Sequence, residues 1–178
     1  MADPNLEAPF TVAPFVWGHW PALWVLRTAQ LAEAGIVVPL DIPEIGLDVP
    51  RDGYEWEYHH MAEVFLAGAG GFWLAWVQGE PAGHAGAQDL GGVIELRNMY
   101  VRREFRRRGI GTRLVRALLD HCLAKKAAAV ELWTGKDGPG RKLYESLGFR
   151  ITDGPGAEYI DLVCRTNYTP GDDEIRMR

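Results

Sequence analysis

Residues 101–114 read VRREFRRRGIGTRL: an apolar strand end runs through five arginines into Gly-Ile-Gly and then a helix. Two glycines let bare backbone approach a ligand closely. The free N–H groups of a helix's first turn point outward with the positive end of the helix dipole. Arginines add charge-assisted contacts to phosphate oxygens. The stretch therefore reads as a cradle for a diphosphate, built from Arg106, Arg107, Arg108, Gly109, Ile110, Gly111 and Thr112. A solvated turn or a nucleic-acid patch is the competing reading. The register of Gly-x-Gly with the helix start speaks against it.

Working outward, the chain has 178 residues, 47 % of them apolar, enough to bury a full core. Its formal net charge of −5 argues against a general nucleic-acid binder. The charge is uneven. Residues 101–113 hold six arginines against one glutamate, and residues 41–63 hold seven acids against one arginine. A basic site for an anion beside an acidic flank fits these blocks. Cys122 and Cys164 read as buried thiols, since two cysteines make no disulfide framework. The first residues lack the pattern of a signal peptide, and the longest apolar stretch, Val64–Val77, is too short and glycine-broken to span a bilayer. A cytoplasmic protein without membrane contact is expected.

Helix and strand signals alternate. A short strand is expected over Phe10–Val16, a helix over Pro21–Ala34, a loop over 36–53 and a second helix over Tyr54–Leu66. Strands follow at Phe72–Gln78, Ala82–Gln88 and Val93–Val101. A third helix covers Gly109–Ala124, with Ile110, Leu114, Leu118 and Cys122 on one face and Val115, Leu119 and Leu123 beside it. A strand at Ala128–Thr134, a helix at Pro139–Leu147 and strands at Phe149–Thr152 and Tyr159–Cys164 complete the pattern.

That order, with two motifs, resembles the GCN5-related N-acetyltransferase (GNAT) superfamily. The first motif is Arg106-Arg107-Arg108-Gly109-Ile110-Gly111, five residues beyond Val101. The second is Leu143-Tyr144-Glu145-Ser146-Leu147-Gly148-Phe149, preceded by Asp137 and Gly140 where the family has asparagine and alanine. The resemblance covers residues 72–165. It implies an α/β (mixed α+β) fold: a twisted, mostly antiparallel sheet of six to seven strands with a splayed parallel pair, flanked by about four helices. Residues 1–165 would form one domain and 166–178 a polar tail. It implies acetyl-coenzyme A as co-substrate, with no metal. Backbone groups of Met99, Tyr100 and Val101 would meet the pantetheine arm, and Asp137 and Lys142 join the cofactor-binding set. Asp137 has a second reading, as the cap of the helix that starts near Pro139.

Acyl transfer from a thioester needs a neutral amine, a stabilised oxyanion and a proton for the departing thiolate. An amine of pKa about 10.4 needs roughly 4–5 kcal/mol to lose its proton at pH 7. Glu95 is the candidate base, six residues before Val101, where the histone-acetyltransferase branch of the family carries its glutamate. It reads equally as the ion-pair partner of Arg97 on the same strand face. Tyr144 matches the family's general acid, or else is a core tyrosine. A backbone N–H near Tyr100 or Val101 would face the oxyanion.

Two rival phosphate motifs fail. Leu114 stands where a dinucleotide fingerprint needs a third glycine, and Arg141-Lys142 follows Gly140 where a P-loop needs Lys-Ser/Thr. His59 and His60 form no metal spacing and read as helix-surface residues. The acidic 41–63 block implies a small cationic amine as acceptor ahead of a peptide. A homodimer is compatible with the fold's exposed edges. The alternatives are a non-catalytic acyl-coenzyme A sensor, a peptide N-acetyltransferase and a nucleic-acid binder.

Overall fold

Strands β1 (Phe10–Pro14), β2 (Gly71–Val77), β3 (Glu80–Asp89), β4 (Val93–Val101), β5 (Ala129–Gly135), β6 (Arg150–Thr152) and β7 (Tyr159–Arg165) form one sheet in the order β1-β2-β3-β4-β5-β7-β6. The computed structural model describes residues 9–37, 41–51, 55–135, 137–152 and 159–165, so the tail from Thr166 lies outside the described residues. Every pairing is antiparallel except β4 with β5. The mostly antiparallel sheet with one parallel pair is the architecture that the two motifs implied.

Strand β2 shows why the sheet is covered on both faces. Trp73, Ala75 and Val77 alternate into one cluster with helix α4 (Ile110–Ala124), while Phe72 and Leu74 enter a second cluster with α1 (Trp20–Glu33). Within α4, Ile110, Leu114, Leu118 and Cys122 are buried as the spacing required, whereas Leu123 lies 58 % exposed. Pro21 in the first turn of α1 fits there because its missing N–H needs no partner. Helix α5 (Pro139–Ser146) closes the second half of the chain.

One expectation fails locally. Tyr54, where a second helix is expected to begin, lies outside the described residues; from Trp56 to Leu66 the chain instead makes two single turns, α2 (Trp56–His59) and α3 (Met61–Val64), broken at His60 with φ −110° and ψ 31°. The His60 ring explains the break: its Nδ1–H donates to the Trp56 carbonyl at 2.8 Å, and it stacks on the Trp56 indole with centroids 4.3 Å apart. A side chain competing for a helix carbonyl favours leaving the helix. His59 is buried against the stacked pair Trp20 and Trp24, not on the surface.

The turn into β4 depends on one carboxylate. Asp89 accepts N–H bonds from Ala69 at 2.8 Å, Gly91 at 2.9 Å and Gly92 at 3.1 Å. The Ala69 N–H first, then those of Gly92 and Gly91, holds its carboxyl below the usual range. Because the folded value is the depressed one, this stabilisation exists above the unfolded pKa and is lost as pH falls through the folded one. Asp89→Ala is expected to cost about 1–2 kcal/mol at pH 7. The deficit should shrink in acid, as read from urea midpoints at both pH values.

Candidate active site

The site begins with a residue that does not suit a strand. Asn98 sits in β4 at φ +52°, and the β3–β4 register shifts between His84 and Gly86. This is a bulge, which inserts an extra residue and reverses which side chains face which side. Before it, Ile94 and Leu96 enter the α4 cluster; after it, Met99 and Val101 pack there and Tyr100 enters the α1 cluster. Glu95 and Arg97 consequently face the α1–α3 side.

The parallel pairing covers only Val93, Ile94 and Glu95, opposite Ala129, Val130 and Glu131. From Leu96 onward β4 and β5 part, while β5 stays paired with β7 as far as Gly135. The fork leaves the β5-side edge of Leu96–Val101 without a strand partner among the described residues. Its mouth meets the start of α4. Gly109 caps that helix at φ +80°, a conformation that costs a non-glycine residue energy, and no side chain caps the first turn. The first-turn N–H groups therefore keep their outward donors.

Gly111 explains how tightly the parts converge. A Cβ there would lie 3.1 Å from Met99 Cε and 3.2 Å from Leu143 Cδ2, so the start of α4, the end of β4 and α5 meet at one point. An extended ligand with an amide-rich arm and an anionic end fits this frame. The arm would lie along Leu96–Val101 and the anion on the N–H groups of Ile110, Gly111 and Thr112.

The arginines divide. Arg106 Nε donates to the Val101 carbonyl at 2.8 Å and its Nη2 pairs with Glu33, which also accepts the Tyr100 hydroxyl at 2.8 Å. Burial pushes the Glu33 carboxyl up, but the Tyr100 and Arg106 hydrogen bonds outweigh it and hold the group below the ordinary range. Arg106 thus braces the loop against the end of α1, and it occupies the Val101 carbonyl that the sequence had left open to the cofactor arm. Arg107 is exposed at φ +64°, and Arg108 lies over Phe105 with Cζ 5.7 Å from the ring.

On α5, Tyr144 is buried, with its ring edge-on to Phe149 at 5.7 Å. Burial pushes its hydroxyl up to about 12, so it stays protonated at neutral pH. Lys142 is exposed on the same helix. Asp137 is exposed and is not the cap: Gly138 occupies that position without any side-chain bond. The capping role is therefore corrected.

Across the sheet a polar cleft of about 750 Å³ opens between β4, the β3 end and α2–α3. Arg97 holds it together. Its Nη1 donates to Gln88 Oε1 at 2.6 Å, its Nη2 pairs with Glu57, and its Nε lies 3.9 Å from Glu95 Oε2. Asn98 Nδ2 also donates to Glu57, at 2.6 Å. The ion pair expected for Glu95 is thus present, though longer than a direct hydrogen bond. Glu57 and Glu63 bring the acidic block to this cleft, but Arg51 comes from the same block, Arg27 from α1 and Arg97 from β4. The described lining carries three guanidiniums against two carboxylates. Arg27 and Arg97 lie far from the acidic block in the chain, so only the fold brings them to the same cleft. Among the described residues no group of three or more His, Cys, Asp or Glu could hold a metal, and no helix is long and apolar enough to cross a membrane.

A forked parallel pair whose mouth meets an uncapped helix start defines a known class, and a family model confirms it. The model of the acetyltransferase (GNAT) family matches residues 43–149, more than half of the chain, and the chain belongs to that family. Of curated proteins, the N-acetylaspartate synthetase of Danio rerio is 39 % identical over 82 residues, covering 44 % of this chain and 29 % of that protein. The chain thus spans under a third of that relative's length. Among solved structures, a GNAT-family acetyltransferase from Staphylococcus aureus Mu50 superposes with a TM-score of 0.69 at 18 % identity, over 89 % of this chain and 99 % of the other. The PaiA N-acetyltransferase of Thermoplasma acidophilum, solved in complex with coenzyme A, does so with a TM-score of 0.64 at 16 % identity, over 88 % and 99 %. Those two likenesses bear on fold.

Proposed function

We propose that the chain transfers the acetyl group of acetyl-coenzyme A to the primary amine of a small molecule, with both substrates bound at once. The observation that carries this is the β4–β5 fork meeting the uncapped start of α4. Acetyl-coenzyme A, when bound, supplies an acyl carbon already activated as a thioester. The N–H groups of Ile110, Gly111 and Thr112 hold its diphosphate, with Arg107, Arg108 and Lys142 adding positive charge around it. The backbone of Met99 and the Val101 N–H line the pantetheine arm, and Asp137 is an acceptor for it. Arg106 is a positioning residue, through Glu33 and Val101.

Glu95 takes a proton from the acceptor's ammonium, directly or through water, from the cleft side of β4. Tyr144 gives one to the departing sulfur from the α5 side. The amine's N–C bond forms as the C–S bond breaks; of the two protons the nitrogen loses, one reaches solvent through Glu95 and the other restores the Tyr144 hydroxyl. A small acceptor, ahead of a peptide, is supported by the relative named for N-acetylaspartate, an acetylated small amine.

Calorimetry with acetyl-coenzyme A, followed by thiol release over an amine panel, tests the reading. Binding with release upholds it; binding with no release from any amine would instead mark an acyl-coenzyme A sensor. Glu95→Gln should lower kcat about 10²-fold. It should also erase the acid limb that a carboxylate base imposes on the pH profile, with acetyl-coenzyme A affinity retained. A wild-type profile would leave Glu95 an ion-pair partner of Arg97.

A further inference from the structure

The cleft's charge has a consequence for the acceptor, resting on the transfer reading above. Two of its guanidiniums are each held against an aromatic ring. Arg27 is 8 % exposed with Cζ 4.8 Å from the Tyr58 ring centre, and Arg51 Cζ stands 5.0 Å from that of Trp56. Ring packing restrains a guanidinium's orientation at little cost to its in-plane N–H donors, which match the two oxygens of a carboxylate. In Arg27 one of those donors, Nη1, is already taken by Gln30 Oε1 at 3.1 Å, so Arg51 is the leading partner. No described carboxylate lies within ion-pair distance of Arg51. Glu57, by contrast, is already bound by Arg97 and Asn98, which leaves it little free charge to attract a polycation.

We propose that the acceptor is an amine that also carries at least one carboxylate, an amino-acid-like molecule whose carboxylate is held by Arg51 and Arg27 while its nitrogen faces β4. The ring-held guanidiniums of Arg51 and Arg27 complement such a molecule better than a diamine, which would bring them like charge. Arg97 is the positioning residue: it fixes Glu57 and stands between that wall and Glu95. An anionic or zwitterionic acceptor is thereby set against the cationic one that the acidic block suggests.

The test is thiol release from acetyl-coenzyme A with three matched probes: aspartate, aspartate with both carboxylates amidated, and 1,4-diaminobutane. The amine of aspartate should be used with a kcat/KM about tenfold or more above that of either competitor. Arg51→Gln should raise the KM for aspartate about tenfold, with a smaller change in kcat and unchanged acetyl-coenzyme A affinity. Arg51 lies in a loop, so the variant should fold. Equal or better use of the diamide or the diamine would overturn the proposal, as would an Arg51→Gln enzyme with wild-type KM. No release from any amine despite tight acetyl-coenzyme A binding would overturn the transfer reading itself, and this inference with it.

Discussion

Gly111→Trp is expected to weaken acetyl-coenzyme A binding at least about 10²-fold by calorimetry. Already at the β carbon a side chain would press on Met99 Cε at 3.1 Å and Leu143 Cδ2 at 3.2 Å. A methyl group would require those flexible neighbours to give by a few tenths of an ångström. An indole would fill the fork's mouth and cover the donors of the first turn. Backbone strain plays no part, since Gly111 has no left-handed φ. Losing two or three charge-assisted hydrogen bonds accounts for such a drop, each contributing about 1.5–3 kcal/mol. Gly111→Ala provides the control: it should bind within a few-fold of wild type and melt close to it. Wild-type affinity in the Trp variant would remove the diphosphate from this helix start.

Tyr144→Phe is the second large effect, with an expected loss of about 10²-fold or more in kcat. The ring stays, so its packing against Phe149 and over Gly140 is retained and the melting temperature should barely move. Acetyl-coenzyme A affinity should also hold. Burial pushes this hydroxyl up to about 12, so it remains protonated through the working pH range. The loss should therefore be uniform across neutral and mildly alkaline pH, unlike the pH-dependent loss expected for Glu95→Gln. A fully active Phe variant would make Tyr144 a core residue alone.

Much of this is legible in the chain itself. Local signals located α4, β4 and the Gly-x-Gly corner within a residue or two, because amphipathic periodicity and glycine punctuation are written in adjacent positions. The break at His60 was not, since it arises from an imidazole that bonds back to Trp56 and stacks on it. Nor was the bulge at Asn98 read, although asparagine is a poor strand former and its place in an apolar strand was an available signal. That bulge decides which β4 residues face α4 and which the cleft. The partners of Arg106 and Arg97 were illegible for a different reason. Glu33 is 73 residues from Arg106, and Glu57 lies on the far side of the hairpin from Arg97, so only the folded sheet makes them neighbours. Glu95 stands between these cases: strand alternation gave its face and its proximity to Arg97, while its place at the last rung of the parallel pairing needed the topology.

A crystal structure of the chain soaked with coenzyme A tests the central claim most directly. The diphosphate should rest on the N–H groups of Ile110, Gly111 and Thr112, with the pantetheine arm running between β4 and β5 beside Leu96–Val101. Coenzyme A seated anywhere else on the protein, or a fork that closes against it, would contradict the account.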